Sequence, residues 1–249
     1  MEAGRRKLLL QIAACAVLAC ALTIALTYPV AFNAANHVPS DLGDPLLCCW
    51  LLWWNYEHIL TLNFDGYWDA PIFHPFPKGL ALAEHMFGPS LISAPLYPLT
   101  HDLVLIYNLL FLGTYFFALT GMVALARHLK LSWPAAWLAG IIFTFCSHHY
   151  SQIPHLQVLY GGLAPWSMFF LLRLTKKPGL WDALGLFASF WLICFSCLYH
   201  AAFFSVILGI SGVFLFFSRR LWNKPKSLAL ILLAPVLAVS YTHLRAHET

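Results

Sequence analysis

Long apolar runs alternate with short basic clusters along almost the whole chain. That alternation constrains the fold more than any single motif. Seven runs stand out: Leu8 to Val30, Leu103 to Ala126, Trp133 to Cys146, Leu156 to Leu172, Leu180 to Leu198, Ala201 to Phe217 and Ser227 to Val239. Several approach the roughly 20 residues that cross a hydrocarbon core as a helix. Only 10% of the residues are charged, against about 25% in soluble domains. The expected fold is all-α, a polytopic transmembrane helix bundle of about seven spans, with the lipid bilayer as its solvent. The first run follows Arg5, Arg6 and Lys7. It is longer than the apolar core of a signal peptide, roughly 7–15 residues, and reads as an uncleaved first helix.

The basic clusters fix an expected orientation. With the N-terminus in the cytoplasm, and sides alternating across the runs, the cytoplasmic segments collect Arg5, Arg6, Lys7, Arg127, Lys130, Arg173, Lys176, Lys177, Arg219, Arg220, Lys224 and Lys226. That is 12 of the 14 basic residues, with Lys78 and Arg245 elsewhere. The positive-inside rule is met by this arrangement. It also assigns the segment Met86 to Leu99, which is apolar but short and carries Pro89, Pro95 and Pro98. Counting it as a span would put the three later clusters outside, so it reads as a re-entrant or interfacial helix. The net charge of +4 sits in these clusters and is no nucleic-acid signal. Domain organisation follows: residues 1–239 form one transmembrane domain with an external loop at 31–102. The abruptly polar tail Ser240 to Thr249 reads as non-native, so the chain is expected to be the N-terminal portion of a larger protein.

The external loop is the polar exception. Ser40 to Glu84 holds six of the ten carboxylates. Asp44 before Pro45 suits a helix start, and Pro45 to Leu62 reads as a helix. Trp50, Trp53 and Trp54 recur at i, i+3 and i+4, so they share one face, and such tryptophans favour the bilayer interface. The loop is thus expected to contain two interfacial helices. Asp44 is the leading chemical candidate, with Asp41 beside it, because an external carboxylate can act as general base on a hydroxyl. A helix cap is the plain structural alternative, and the two roles are compatible.

Other clusters carry less. Cys194-x-x-Cys197 lies in an apolar run without a βαβ context, so these thiols read as buried small hydrophobes. His148, His149 and His155 share an external turn, but their spacing matches no common zinc site. No metal and no cofactor is assigned. Glu57 and His58 read as a solvated helix face, and Asp182 as a first-turn acid favoured by the helix dipole. No nucleotide-binding fingerprint is present in the sequence.

Taken together, a first helix, a long external loop with the acidic motif Ser40-Asp41-Leu42-Gly43-Asp44-Pro45, and a second surface helix from Ala83-Glu84-His85-Met86-Phe87-Gly88 resemble a known pattern. It is that of the GT-C class of polytopic membrane glycosyltransferases, which includes protein O-mannosyltransferases and lipid A aminoarabinose transferases. Ile72-Phe73-His74-Pro75-Phe76-Pro77-Lys78-Gly79-Leu80 and Pro154-His155-Leu156-Gln157 look like a bacterial branch of that class. The resemblance covers roughly residues 1–220. It implies a hexosyl or pentosyl transferase in a bacterial inner membrane. Such an enzyme takes sugar from a polyprenyl-phosphate donor to an acceptor glycan, lipid or protein on the external face. It implies Asp44 as catalytic acid–base residue. Many members have Asp-Glu where this chain has Gly-Asp-Pro, so Glu84 is expected to supply the second acid. Asp41, Lys78, His85, His155 and Gln157 are the expected substrate-binding residues. Lys78 is the only external Lys or Arg in this reading, with His37, His58, His74, His85 and His101 as weaker donors to the lipid phosphate. Two competing classes are a membrane transporter or flippase, which usually places ionisable groups within spans, and a non-catalytic cell-envelope assembly protein.

Overall fold

The structure is a computed structural model and describes residues 2–244. Residues 245–249, which include Arg245 and the end of the tail expected to be non-native, lie outside the described residues. Every element among the described residues is helical. The first apolar run forms α1 (Glu2–Leu26). The loop that follows contains α2 (Asp44–Thr61), α3 (Phe87–Ser93) and the single turn α4 (Tyr97–Thr100). The remaining runs give α5 (Leu103–His128), α6 (Trp133–Thr144), α9 (Ala164–Lys176), α10 (Leu180–Cys194), α11 (Leu198–Ser218) and α12 (Pro225–Leu244). Between α6 and α9 lie two short pieces, α7 (Ser147–Ser151) and α8 (Leu156–Leu159).

Among the described residues four segments are long and apolar enough to cross a bilayer: Leu9–Leu26, Leu103–His128, Leu156–Lys176 and Leu198–Ser218. The protein is therefore a multi-pass helical membrane protein. Each of the seven apolar runs is helical, but α6 and α10 have 12 and 15 residues. At 1.5 Å per residue they rise only about 18 and 22 Å, short of a hydrocarbon core of about 30 Å. The helix α11 shows how lipid replaces water as solvent. Its Phe203, Ile210 and Phe214 are 67%, 66% and 68% exposed. Its buried residues are only Phe204, Leu208 and Leu215.

Two boundaries differ from the sequence expectation. The apolar runs Leu180 to Leu198 and Ala201 to Phe217 leave Tyr199-His200 as their join, but both residues lie within α11. The chain breaks instead at Phe195 to Cys197, where the backbone N–H of Gly88 donates to the carbonyl of Phe195 (3.0 Å). A partner from the loop, not a local turn signal, sets this break. The proline-broken stretch expected over Met86 to Leu99 is α3, a 3-10 turn at Ala94–Leu96 and α4, with a proline in the first turn of the last two. Pro removes a donor and resists helix interiors, so one continuous helix does not form.

At the centre, α5 packs against α1, α2, α6 and α9, and α10 packs against α9 and α12. Asn108, fully buried on α5, donates both amide hydrogens, to the carbonyls of Ala34 and His37 (2.7 Å each). That ties the start of the loop to α5. On the other side, α6 comes very close. A Cβ on Gly140 would lie 2.8 Å from Val123 Cγ2, 2.9 Å from Leu119 Cδ1 and 3.2 Å from the Leu119 carbonyl oxygen. Small residues of this kind let helix backbones approach in membranes. Gly140→Val is therefore expected to lower stability by about 1–3 kcal/mol, the usual cost of overpacking. Thermal unfolding of the detergent-purified protein checks it, and an unchanged midpoint would contradict the close α5–α6 contact.

Candidate functional site

The helix α2 starts at Asp44 with Gly43 before it, and no side chain caps its first turn. The cap reading of Asp44 is corrected accordingly. Its carboxylate is not spent on the backbone. Oδ2 of Asp44 lies 2.8 Å from Nε2 of His155, more than a hundred residues away in sequence. A carboxylate only accepts, so Nε2 is the donor. The second ring nitrogen, Nδ1, is buried without a hydrogen-bond partner. The Asp44 side chain is 48% exposed and that of His155 35%, so the pair can be reached from outside the protein.

The same two elements meet again one turn further on. Cys48 of α2 donates its thiol to Oε1 of Gln157 (3.4 Å). This fixes the amide with its carbonyl toward α2 and leaves its N–H donors for another partner. Burial pushes the Cys48 and Cys49 thiols up to about 12, so neither is a thiolate nucleophile at neutral pH. Asp41 accepts from the Gly43 N–H through Oδ1 (2.8 Å). This Asx-type contact shapes the turn into α2. Tyr107 of α5 is fully buried, and its hydroxyl has no hydrogen-bond partner among the described residues. Asp44, His155 and Gln157 are thus brought together, with Asp41 on the same turn.

The other expected residues go elsewhere. Glu84 accepts the backbone N–H of Leu198 through Oε2 (2.7 Å) and the Cys197 thiol through Oε1 (3.7 Å). It sits at the N-terminus of α11, where a carboxylate meets the positive end of the helix dipole. Burial raises its pKa, and the hydrogen bond from Leu198 works against that rise. The neighbouring residue His85 accepts at its carbonyl from Asn55 of α2 (2.7 Å). Asn55 lies three turns along α2 from Asp44, a rise of about 16 Å. The structure gives Glu84 and Asp44 separate partners rather than one shared contact.

Lys78 is exposed, and its backbone N–H donates to Oδ1 of Asp69 (2.9 Å). His85 is half-buried between the rings of Trp68 and Phe195, at 6.0 and 6.2 Å between centroids. Its Nδ1 accepts from the Phe87 N–H (3.2 Å). His58, expected on a solvated face, has Nδ1 2.7 Å from the Asn63 carbonyl and closes the end of α2. Trp54, expected at the bilayer interface, donates its indole N–H to the Tyr67 carbonyl (3.0 Å). Among the described residues no group of three or more His, Cys, Asp or Glu side chains is placed to hold a metal.

Three further residues order this region and are not among those the sequence singles out: Asn55, Tyr67 and Asn108. The available signal was an amide in the middle of an otherwise apolar helix, which demands partners. No protein-family model, curated protein or solved structure matches the chain.

Burial pushes the His85 pKa down to about 4 from its ordinary 6.5. Between those values the unfolded chain binds more protons than the folded one. Stability is therefore full above about pH 6.5 and falls as pH drops toward 4. Glu84, with its raised pKa, has the opposite sign and offsets part of the loss. Thermal unfolding at pH 7 and pH 5 should show a drop in midpoint that is smaller in His85→Asn, whose Oδ1 replaces the Nδ1 acceptor. Equal drops in both proteins would remove His85 from the account.

Proposed function

We propose that this protein is a membrane glycosyltransferase that moves a sugar from a polyprenyl-phosphate donor to an acceptor hydroxyl on the external face. The observation that carries this reading is the Asp44–His155 pair: a reachable carboxylate on a rigid helix start, held by an imidazole at 2.8 Å. The two motifs that resemble the GT-C class in sequence, around Asp44 and around His155, meet at this one place. The seven-span arrangement, with the N-terminus in the cytoplasm of a bacterial cell, belongs to the same proposal.

Asp44 takes the proton of the acceptor hydroxyl as its oxygen attacks the anomeric carbon. The bond from that carbon to the phosphate oxygen breaks, and the electron pair leaves with the polyprenyl phosphate. His155 holds Asp44 in one rotamer through Nε2–H and leaves the second carboxylate oxygen for the acceptor hydroxyl. The N–H donors of Gln157 take a second sugar oxygen, because its carbonyl is held by Cys48. Lys78 is exposed and supplies positive charge for the lipid phosphate. In this mechanism Glu84 fastens the first turn of α11 to the loop rather than acting on the sugar.

The test uses the full-length protein in detergent or vesicles, a radiolabelled polyprenyl-phosphate sugar and an extract supplying acceptors. Asp44→Asn keeps the shape of the side chain and should reduce transfer by about 10²–10⁴-fold, the usual worth of a general base. His155→Ala should reduce it by a smaller factor. Transfer at the wild-type rate in Asp44→Asn sinks the assignment. Ion-coupled uptake of a solute by proteoliposomes, with no sugar transfer, would point to a transporter instead.

A further inference from the structure

The opposite end of α5 and α9 carries a second concavity. It has a volume of 400 Å³ and is lined by His128, Arg173, Lys176, Lys177, Trp181 and Asp182, among others. The Cys49 thiol of α2 meets the Leu103 carbonyl at the start of α5 (3.9 Å), and His128 lies 25 residues on, a rise of about 38 Å, so this cavity and the start of α2 are separated by at least one hydrocarbon core.

Three cations at this end have partners within the protein. Arg173 Nε pairs with Asp182 Oδ1 at 2.6 Å. Arg127 lies over the Trp133 ring at 4.4 Å and donates to the Leu131 carbonyl. Lys224 donates to the Thr175 carbonyl at 2.9 Å. Two lysines differ. Lys176 meets only the neutral acceptor Nε2 of His128, at 3.1 Å. The side chain of Lys177 makes no hydrogen bond or ion pair among the described residues. Both lysines are exposed on the cavity wall. With Arg173 and Asp182 cancelling, the cavity holds two uncompensated positive charges.

Its rim is apolar. Trp181 is 82% exposed and Leu180 65% exposed. A tryptophan beside lysines is the composition of a membrane–water interface, with the ring at headgroup level and the ammonium groups on lipid phosphates. A soluble anion has no use for that rim. We propose that this cavity is a binding site for the headgroup phosphate of an anionic phospholipid, held by Lys176 and Lys177, with Trp181 against the glycerol and upper acyl chain. The site is independent of the glycosyl-transfer reading and shares no residue with it.

The experiment compares binding of phosphatidylglycerol and phosphatidylcholine to the full chain in detergent by native mass spectrometry. The proteins are the wild type, the double variant K176Q/K177Q and the double variant K176R/K177R. Wild type should retain phosphatidylglycerol over phosphatidylcholine. K176Q/K177Q should bind phosphatidylglycerol about tenfold or more weakly, since each surface lysine contributes appreciably to anionic-lipid attraction. K176R/K177R keeps the charge and should bind like wild type. Melting curves that match among the three proteins exclude misfolding as the cause, and Trp181→Ala supplies a second variant that weakens retention without changing charge. Equal phosphatidylglycerol binding by wild type and K176Q/K177Q overturns the proposal. So does equal binding of the two lipids, or full displacement of phosphatidylglycerol by millimolar inorganic phosphate, which would mark a site for a soluble anion.

Discussion

Asn55 holds together the long segment between α1 and α5. It is fully buried in the middle of α2 and uses all of its amide. Nδ2 donates to the His85 carbonyl (2.7 Å) and to Ser90 Oγ (2.8 Å), and Oδ1 accepts from the Tyr67 hydroxyl (2.6 Å). Two stretches of the loop, at Tyr67 and over His85 to Ser90, are thereby drawn onto one helix. A hydrogen bond is worth only about 1 kcal/mol net, but a buried polar group left without a partner costs more. The network is therefore an all-or-none device: each partner is affordable only when the others are present. Around it, Trp54 binds the Tyr67 carbonyl, Tyr56 and Ser93 share a hydrogen bond of 2.7 Å, and Gly79 packs where a Cβ would lie 2.0 Å from the Ile72 carbonyl oxygen. A loop so rich in Gly, Pro and aromatics gains a single conformation from these contacts.

The sequence already contained what depends on local periodicity. The apolar runs became helices, and α2 ends within a residue of its expected end at Leu62, which adopts the left-handed conformation that stops a helix. What depends on distant partners was not readable. The break before α11 lies at Phe195 to Cys197 because Gly88 and Glu84, far upstream, satisfy the backbone there. Tyr199-His200 has the turn-like composition, but a helix tolerates both residues once Glu84 meets the Leu198 N–H. The spans were harder to count than to find. Apolar composition marks α6 and α10 clearly, yet length is a separate property, and a short helix can be buried in the bundle as easily as it can cross lipid.

The candidate site shows the same division. Asp44, His155 and Gln157 were each noticeable in sequence, as an acid at a helix start and as polar groups between apolar runs. Their meeting was not, because it depends on how α2 lies against the connection between α7 and α9. Tyr107 and Asn108 occupy adjacent positions on α5 and serve opposite ends of this problem. Asn108 straps the chain after α1 to α5, and Tyr107 is fully buried with its hydroxyl unpartnered among the described residues. A polar pair inside an apolar run is the signal that marks such a place, since burial without partners is costly.

Asp44 and Glu84 illustrate why carboxylates of equal charge carry different expectations once their partners are known. Glu84 has both oxygens engaged by the start of α11, one with a backbone N–H and one with a thiol. A carboxylate so occupied holds two elements together, and to act on a substrate it would have to release them. Asp44 has one oxygen on His155 and is about half exposed, so its other oxygen can meet a ligand without breaking anything in the fold. The imidazole fixes the rotamer that places that oxygen. A base must be both positioned and free, and of the two acids only Asp44 satisfies both conditions.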